Sequence, residues 1–183
     1  MKYDKTIILK DGRSCVLRNA TARDGQAALE NFLAAHGQTD FLLTYNEENT
    51  FTAEEESAFL QKKADSGNEI EILAELDGKV VGTAGIEQIS PKIKLRHRCD
   101  FGISIDKSYW GLGVGRALTE ACVECARKAG YEQIELEVVA DNDRAVRLYE
   151  GVGFIEYGRN PRGFKSRLTG YQEVVYMRME LTD

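Results

Sequence analysis

The chain has 183 residues, 43% of them hydrophobic and 30% charged, the balance of one globular domain covering residues 1–183. A formal net charge of −6 has the wrong sign for a protein that neutralises many backbone phosphates, so nucleic acid is not an expected partner. No apolar run reaches the length of a membrane span. The opening MKYDKTIILKDGRS lacks the apolar core and small-residue cleavage site of a secretory signal. A soluble cytoplasmic protein without membrane contact is the expectation.

The first element is a hairpin, TIILKDGRSCVLRNA, turning at Asp11-Gly12. A helix follows in TARDGQAALENFLAAH, where Ala28, Leu29, Phe32 and Leu33 fall at helical spacing. The looser GQTDFLLTYNEEN leads to a second helix, TAEEESAFLQKKADS, opened by the capping-box pair Thr52 and Glu55. A second hairpin, EIEILAELDGKVVGTAGIEQI, turns at Asp77-Gly78. A strand over Arg98 to Ile105 runs into a glycine turn. A helix from about Val114 to Ala129 comes next, with Leu118, Ala121, Cys122, Cys125 and Ala129 on one narrow face. Then come a strand QIELEVVA, a short helix NDRAVRLYEGV, a strand from Phe154, and a closing strand GYQEVVYMRMEL. This order predicts an α+β fold: a mixed, mostly antiparallel central sheet flanked by helices, with one parallel β-α-β crossover.

Four cysteines are present. Cys122-x-x-Cys125 has the spacing of a metal or redox pair, yet it lies inside a helical pattern. Only the distant Cys15 and Cys99 remain to complete a ligand set. The cysteines read as small buried apolar residues, and no metal is expected.

The stretch YWGLGVGRALT places Gly111, Gly113 and Gly115 between a strand and a helix. The first helical N–H groups have no intrahelical partner and sit at the positive end of the helix dipole. Glycines there let a phosphate approach those groups directly, and Arg116 adds a charge-assisted contact. Neither the dinucleotide fingerprint G-x-G-x-x-G nor the Walker loop fits these glycines. A pyrophosphate ligand outside both nucleotide folds is what remains.

Downstream, VVADNDRAVRLYEGVGF supplies Asn142, Ala145, Leu148-Tyr149 and Gly153-Phe154. Together with the glycine turn, over roughly Asp100 to Phe154, this resembles the GNAT superfamily of acetyl-CoA-dependent N-acetyltransferases. Its motifs are Arg/Gln-x-x-Gly-x-Gly/Ala followed by Asn-x-x-Ala-x-x-x-Tyr and Gly-Phe. Trp110 stands where the first motif has Arg or Gln. YWGxG is similar to a variant in branches that include ribosomal-protein N-terminal and polyamine acetyltransferases.

The resemblance implies acetyl-CoA as co-substrate. Ile103, Ser104 and Ile105 would line its pantetheine and thioester. Gly111, Leu112, Gly113, Val114, Gly115 and Arg116 would hold the pyrophosphate, with Asn142, Ala145 and Tyr149 alongside. Tyr149, a phenol protonated at neutral pH, is the implied acid for the leaving thiolate. Asn142 also suits a helix N-cap. Glu87 and Asp100 are the alternatives for general base, with His97 a third titratable group in range. Tyr45, Glu47 and Glu48 lie where the family often builds its acceptor site.

The implied reaction is acetyl transfer to a primary amine by direct attack in a ternary complex. The acceptor is a small amine, an amino acid, a polyamine or a protein N-terminus, and a homodimer is open. A non-catalytic acyl-CoA-binding sensor of the same fold is the alternative, and a nucleotide-phosphate binder unrelated to acyl transfer a third reading.

Overall fold

A computed structural model describes residues 1–181. Turn chemistry sets the two hairpins. β1 (Asp4–Ile8) and β2 (Ser14–Asn19) pair antiparallel around a turn whose Gly12 has φ +88°. β3 (Ile70–Leu76) and β4 (Lys79–Gln88) meet at Asp77-Gly78, both left-handed (φ +52° and +78°), the geometry of a two-residue type I′ turn. The helices are α1 (Gly25–Gly37), α2 (Ala53–Asp65), α3 (Val114–Lys128) and α4 (Asp143–Val152). At the start of α2 the capping box is closed: Glu55 N–H donates to Thr52 Oγ1 at 3.2 Å and Thr52 N–H to Glu55 Oε2 at 2.8 Å.

The described residues form one eight-stranded sheet with β5 (Arg98–Ile105), β6 (Gln133–Val139), β7 (Ile155–Ser166) and β8 (Gly170–Glu180). Its order is β1-β2-β3-β4-β5-β6-β8-β7. β5 and β6, joined through α3, are the parallel pair and the other neighbours run antiparallel.

Strand periodicity divides the core. Ile70, Ile72 and Ala74 of β3 join the large cluster with Leu118, Cys122 and Cys125 of α3. Leu73 faces the other way, with Leu60 of α2 and Ala28 of α1. Each fully buried Ile or Leu contributes about 1.5–3 kcal/mol. All four cysteines are free and buried. Among the described residues no helix is long and apolar enough to cross a membrane.

Two helices differ from the sequence reading. α1 buries Gly25, Ala28, Asn31 and Ala35, while Leu29, Phe32 and Leu33 are only half-buried. The cause is close packing: a Cβ on Gly25 would meet Ser57 Oγ at 2.1 Å and the Ala53 carbonyl at 2.6 Å, so α1 turns its small residues inward. Similarly, α3 buries Ala126 and leaves Ala129 half-exposed. The strand expected from Phe154 runs as β7 through Asn160-Pro161-Arg162-Gly163. The register shift between Asn160 and Phe164 absorbs the proline in a bulge on the sheet edge.

Candidate active site

The parallel pair is short. β5 and β6 are in register only at Arg98↔Gln133, Cys99↔Ile134 and Asp100↔Glu135. Beyond them β5 stays on β4 as far as Gly82↔Ile105, and β6 stays on β8 as far as Val139↔Val174. The sheet therefore splits, and a cleft of about 760 Å³ opens at the split. Asp106 N–H donates to the Val81 carbonyl at 3.0 Å. By antiparallel alternation, residues 102, 104 and 106 turn their main-chain groups to β4, and Phe101, Ile103 and Ile105 turn theirs into the split. Of the trio singled out from the sequence, Ile103 and Ile105 turn backbone to the cleft, the Ile105 carbonyl accepting from Trp110 Nε1. Ser104 also lines the cleft, from the other face of the sheet, with its hydroxyl 3.3 Å from Thr83 Oγ1.

The glycines of the turn have two different duties. Gly111 and Gly113 adopt φ +83° and +103°, and a Cβ on either would meet nothing within 4 Å. The left-handed backbone requires glycine there, and the space above it is open. Gly113 is the N-cap of α3. Gly115 is a packing glycine, since its Cβ would lie 3.0 Å from Leu148 Cδ1 and 3.3 Å from Ile105 Cδ1. An open cradle over the positive end of a 15-residue helix fits a diphosphate group. Leu112 packs against the core and Val114 is buried within it, so both face away from the cleft. Arg116 lines the cleft, but its guanidinium donates to the Gly151 carbonyl at 3.1 Å and lies 3.3 Å from Glu120 Oε1, tying α3 to α4.

Asn142 caps α4, its side chain accepting from Ala145 N–H at 3.4 Å, and both residues line the cleft. Tyr149 is 7% exposed and packs edge-on to Phe101 and Phe154. Its hydroxyl has no hydrogen-bond partner among the described residues, and the residue lines the cleft. Burial pushes its phenol well above the ordinary tyrosine range, so it is a proton donor at all working pH values.

The acids separate cleanly. Glu87 does not line the cleft; it forms a 2.8 Å ion pair with the buried Lys63, which also holds Glu71 at 2.9 Å. Burial opposes the charge on Lys63, but the two carboxylates more than offset it and push the ammonium up to about 12. His97 uses its carbonyl to accept from Glu132 and Gln133 at the entry to β6 and is not a cleft residue. Asp100 does line the cleft, together with Glu137. Its carboxyl is pushed up to about 6, first by loss of water to the cleft walls, then by the negative charges of Glu137, Glu135 and Glu87. Water still reaches the side chain, so the desolvation is partial. Glu135 is spent on Arg98, whose Nη2 donates to its Oε2 at 2.6 Å.

Asp100, Gly102 and Ser104 lie on the α1–α2 face of the sheet, while Phe101, Ile103 and Ile105 lie on the α3–α4 face. The cleft thus passes through the sheet, with carboxylates on one side and the Tyr149 phenol on the other. Glu137 was not singled out from the sequence. The signal was there in Glu135-x-Glu137, an alternation that puts both acids on the face of Asp100 once the register is known.

Tyr45, Glu47 and Glu48 are outside the cleft lining. Glu48 accepts from Tyr45 N–H at 2.7 Å, Tyr45 Oη accepts from Arg167 N–H at 2.9 Å, and Glu47 pairs with the Arg167 guanidinium. Asp40 joins this clasp, accepting from Ser166 Oγ at 2.6 Å and Gln172 Nε2 at 3.2 Å. These contacts fix residues 38–51 against the β7–β8 hairpin. Phe41, Leu42 and Leu43 then wall the cleft opposite Phe164.

A mixed sheet split at its one parallel pair, with a glycine cradle on one lip, is an acyl-CoA N-acyltransferase fold. The model of the acetyltransferase (GNAT) family matches residues 38–154. The chain belongs to that family and is an acetyl-CoA-dependent N-acetyltransferase. It is similar to the L-amino acid N-acetyltransferase AaaT of Escherichia coli strain K12, with 28% identity over 165 residues, 88% of this chain and 95% of that protein. An acetyltransferase of the GNAT family from Streptococcus pneumoniae superposes with a TM-score of 0.85 at 32% identity, over 91% of this chain and 99% of that one. The yncA structure from Salmonella typhimurium, solved with its cofactor acetyl-CoA, shares the fold at a TM-score of 0.81 and 18% identity, over 92% and 95%.

Proposed function

We propose that the enzyme transfers the acetyl group of acetyl-CoA to the primary amine of a small acceptor by direct attack in a ternary complex. One observation carries this reading: an unpartnered Tyr149 hydroxyl and the Asp100–Glu137 carboxylates line the same cleft from opposite faces of the sheet. The thioester would enter from the α3–α4 side, with the diphosphate on the Gly111–Gly115 cradle and Ile103 and Ile105 main-chain groups along the pantetheine. The amine would enter from the α1–α2 side, between Phe41, Leu42, Leu43 and Phe164.

Asp100, ionised above about pH 6, attracts the ammonium and takes one proton from it. The freed lone pair bonds to the thioester carbonyl carbon, the carbon–sulfur bond breaks, and Tyr149 gives its proton to the departing sulfur. The second proton leaving nitrogen restores the phenol. Proximity supplies much of the rate, since the split holds both reactants at one point. Likeness to AaaT over nearly its whole length supports a small amine such as an amino acid as acceptor.

The test is thiol release from acetyl-CoA across pooled amines, amino acids and short peptides, with the acetylated product identified by mass. Release that requires an amine, with intersecting initial-velocity lines, supports the reading. Parallel lines, or an acetylated enzyme trapped without acceptor, would overturn the ternary mechanism.

A further inference from the structure

The cradle of Gly111–Gly115 accounts for a diphosphate, yet it leaves two cations of the cleft lining, Lys10 and Arg144, without a role, and of these Arg144 is the one held on an aromatic ring. Arg144, in the first turn of α4, lines the cleft. Its guanidinium has no hydrogen bond or ion pair with another side chain among the described residues. It lies instead over the Trp110 ring, 5.2 Å from the centroid. The ring is fixed in turn, because Trp110 Nε1 donates to the Ile105 carbonyl at 2.9 Å. Its neighbours on α3 and α4 differ: Arg116 is bound to Gly151 and Glu120, and Arg147 lies 3.8 Å from Asp143.

An aromatic face orients a guanidinium without consuming its N–H groups. All five donors of Arg144 stay available in a fork that matches phosphate oxygens. Trp110 adjoins Gly111 in the chain, so Arg144 sits beside the diphosphate cradle and outside it. Coenzyme A carries two anionic groups, the diphosphate and the ribose phosphomonoester. With the first assigned to the cradle, the second is the one left for Arg144.

We propose that Arg144 binds the 3′-phosphate of coenzyme A and that Trp110 is its positioning residue. This rests on the cofactor placement proposed above. It also gives a use to the tryptophan that stands where the family motif has Arg or Gln: the cation comes from α4, and the turn supplies the surface that aims it.

Calorimetric titration with coenzyme A and with its 3′-dephospho form tests this. Wild type should favour coenzyme A by roughly tenfold to a hundredfold, the range for a charge-assisted contact. Arg144→Gln, at an exposed position, should erase the preference and leave dephospho-coenzyme A affinity within about threefold. Trp110→Leu should reduce the preference, and Trp110→Phe, which keeps an aromatic face, should restore most of it. Equal wild-type affinity for the two ligands would overturn the proposal while leaving the cofactor reading standing. So would an Arg144→Gln variant that weakens both ligands alike. A wild type that binds neither would overturn the cofactor placement and this inference together.

Discussion

Replacing Asp100 by asparagine separates a working base from a solvated strand-end charge. With a carboxyl pushed up to about 6, roughly nine-tenths of wild-type molecules are ionised at pH 7 and roughly one-tenth at pH 5. The rate therefore falls toward tenfold per pH unit on the acid side. Asp100→Asn removes that limb and lowers kcat/KM by about a hundredfold to ten-thousandfold, the range for general-base loss.

The same substitution acts on stability in the opposite direction. A carboxyl held above its unfolded pKa binds its proton more tightly in the folded state, so its ionisation opposes folding. That penalty is absent below about pH 4, grows between pH 4 and 6, and is complete above pH 6. The unscreened interval is worth about 3 kcal/mol. Water reaches this side chain, which reduces the expected gain in the variant to the order of 1 kcal/mol, or about 2–4 °C in Tm at pH 7.5. Rate against pH and thermal unfolding at pH 4 and 7.5 measure both effects. An acid limb near pH 6 that survives in Asp100→Asn, or a variant no more stable at pH 7.5 than at pH 4 relative to wild type, refutes the assignment.

Other expectations concern the remaining parts of the cleft. Tyr149→Phe removes a hydroxyl with no internal partner, so Tm should move by less than about 2 °C while kcat falls about a hundredfold or more; an unchanged kcat would remove the phenol from the chemistry. Gly113→Ala forces a left-handed φ of +103° on a residue with a Cβ, at a cost of about 1–2 kcal/mol, and should raise KM for acetyl-CoA more than for the amine. Asp40→Ala strips the acceptor from Ser166, Thr169 and Gln172 and should cost about 1–3 kcal/mol. It loosens the Phe41–Leu43 wall, so amine KM should rise with acetyl-CoA KM unchanged; steady-state kinetics with each substrate varied distinguishes the two.

Local chemistry was the part of this chain most readable in advance. Asp11-Gly12, Asp77-Gly78, the Thr52–Glu55 box and the Asn142 cap each act within a few residues, so type and place follow directly from the sequence. The length of β7 is not readable from the sequence, because a proline and a glycine fall inside it and only its pairing with β8 shows the bulge that carries them. The choice between Glu87 and Asp100 was equally closed to inspection. They are cross-strand neighbours in register, and what divides them is Lys63, contributed by a helix more than twenty residues earlier in the chain. Tyr45, Glu47 and Glu48 stand out in the sequence only for their position, and Arg167, the hairpin partner of Tyr45 and Glu47, lies about 120 residues away in sequence. The inner face of α3 is legible over Leu118, Ala121, Cys122 and Cys125 because its period is internal to one helix, and the reading fails only at the helix end, where Ala126 is buried in place of Ala129.

Asp100, at the last paired position of the β5–β6 seam, and Glu137, two residues past its partner Glu135, both line the cleft where the strands part. Like charges opposed on a sheet resist close approach, and a charge on an open edge deters any other extended segment from docking there. Closing the strands there would press the two carboxylates together, at a cost that a proton or a cation would relieve.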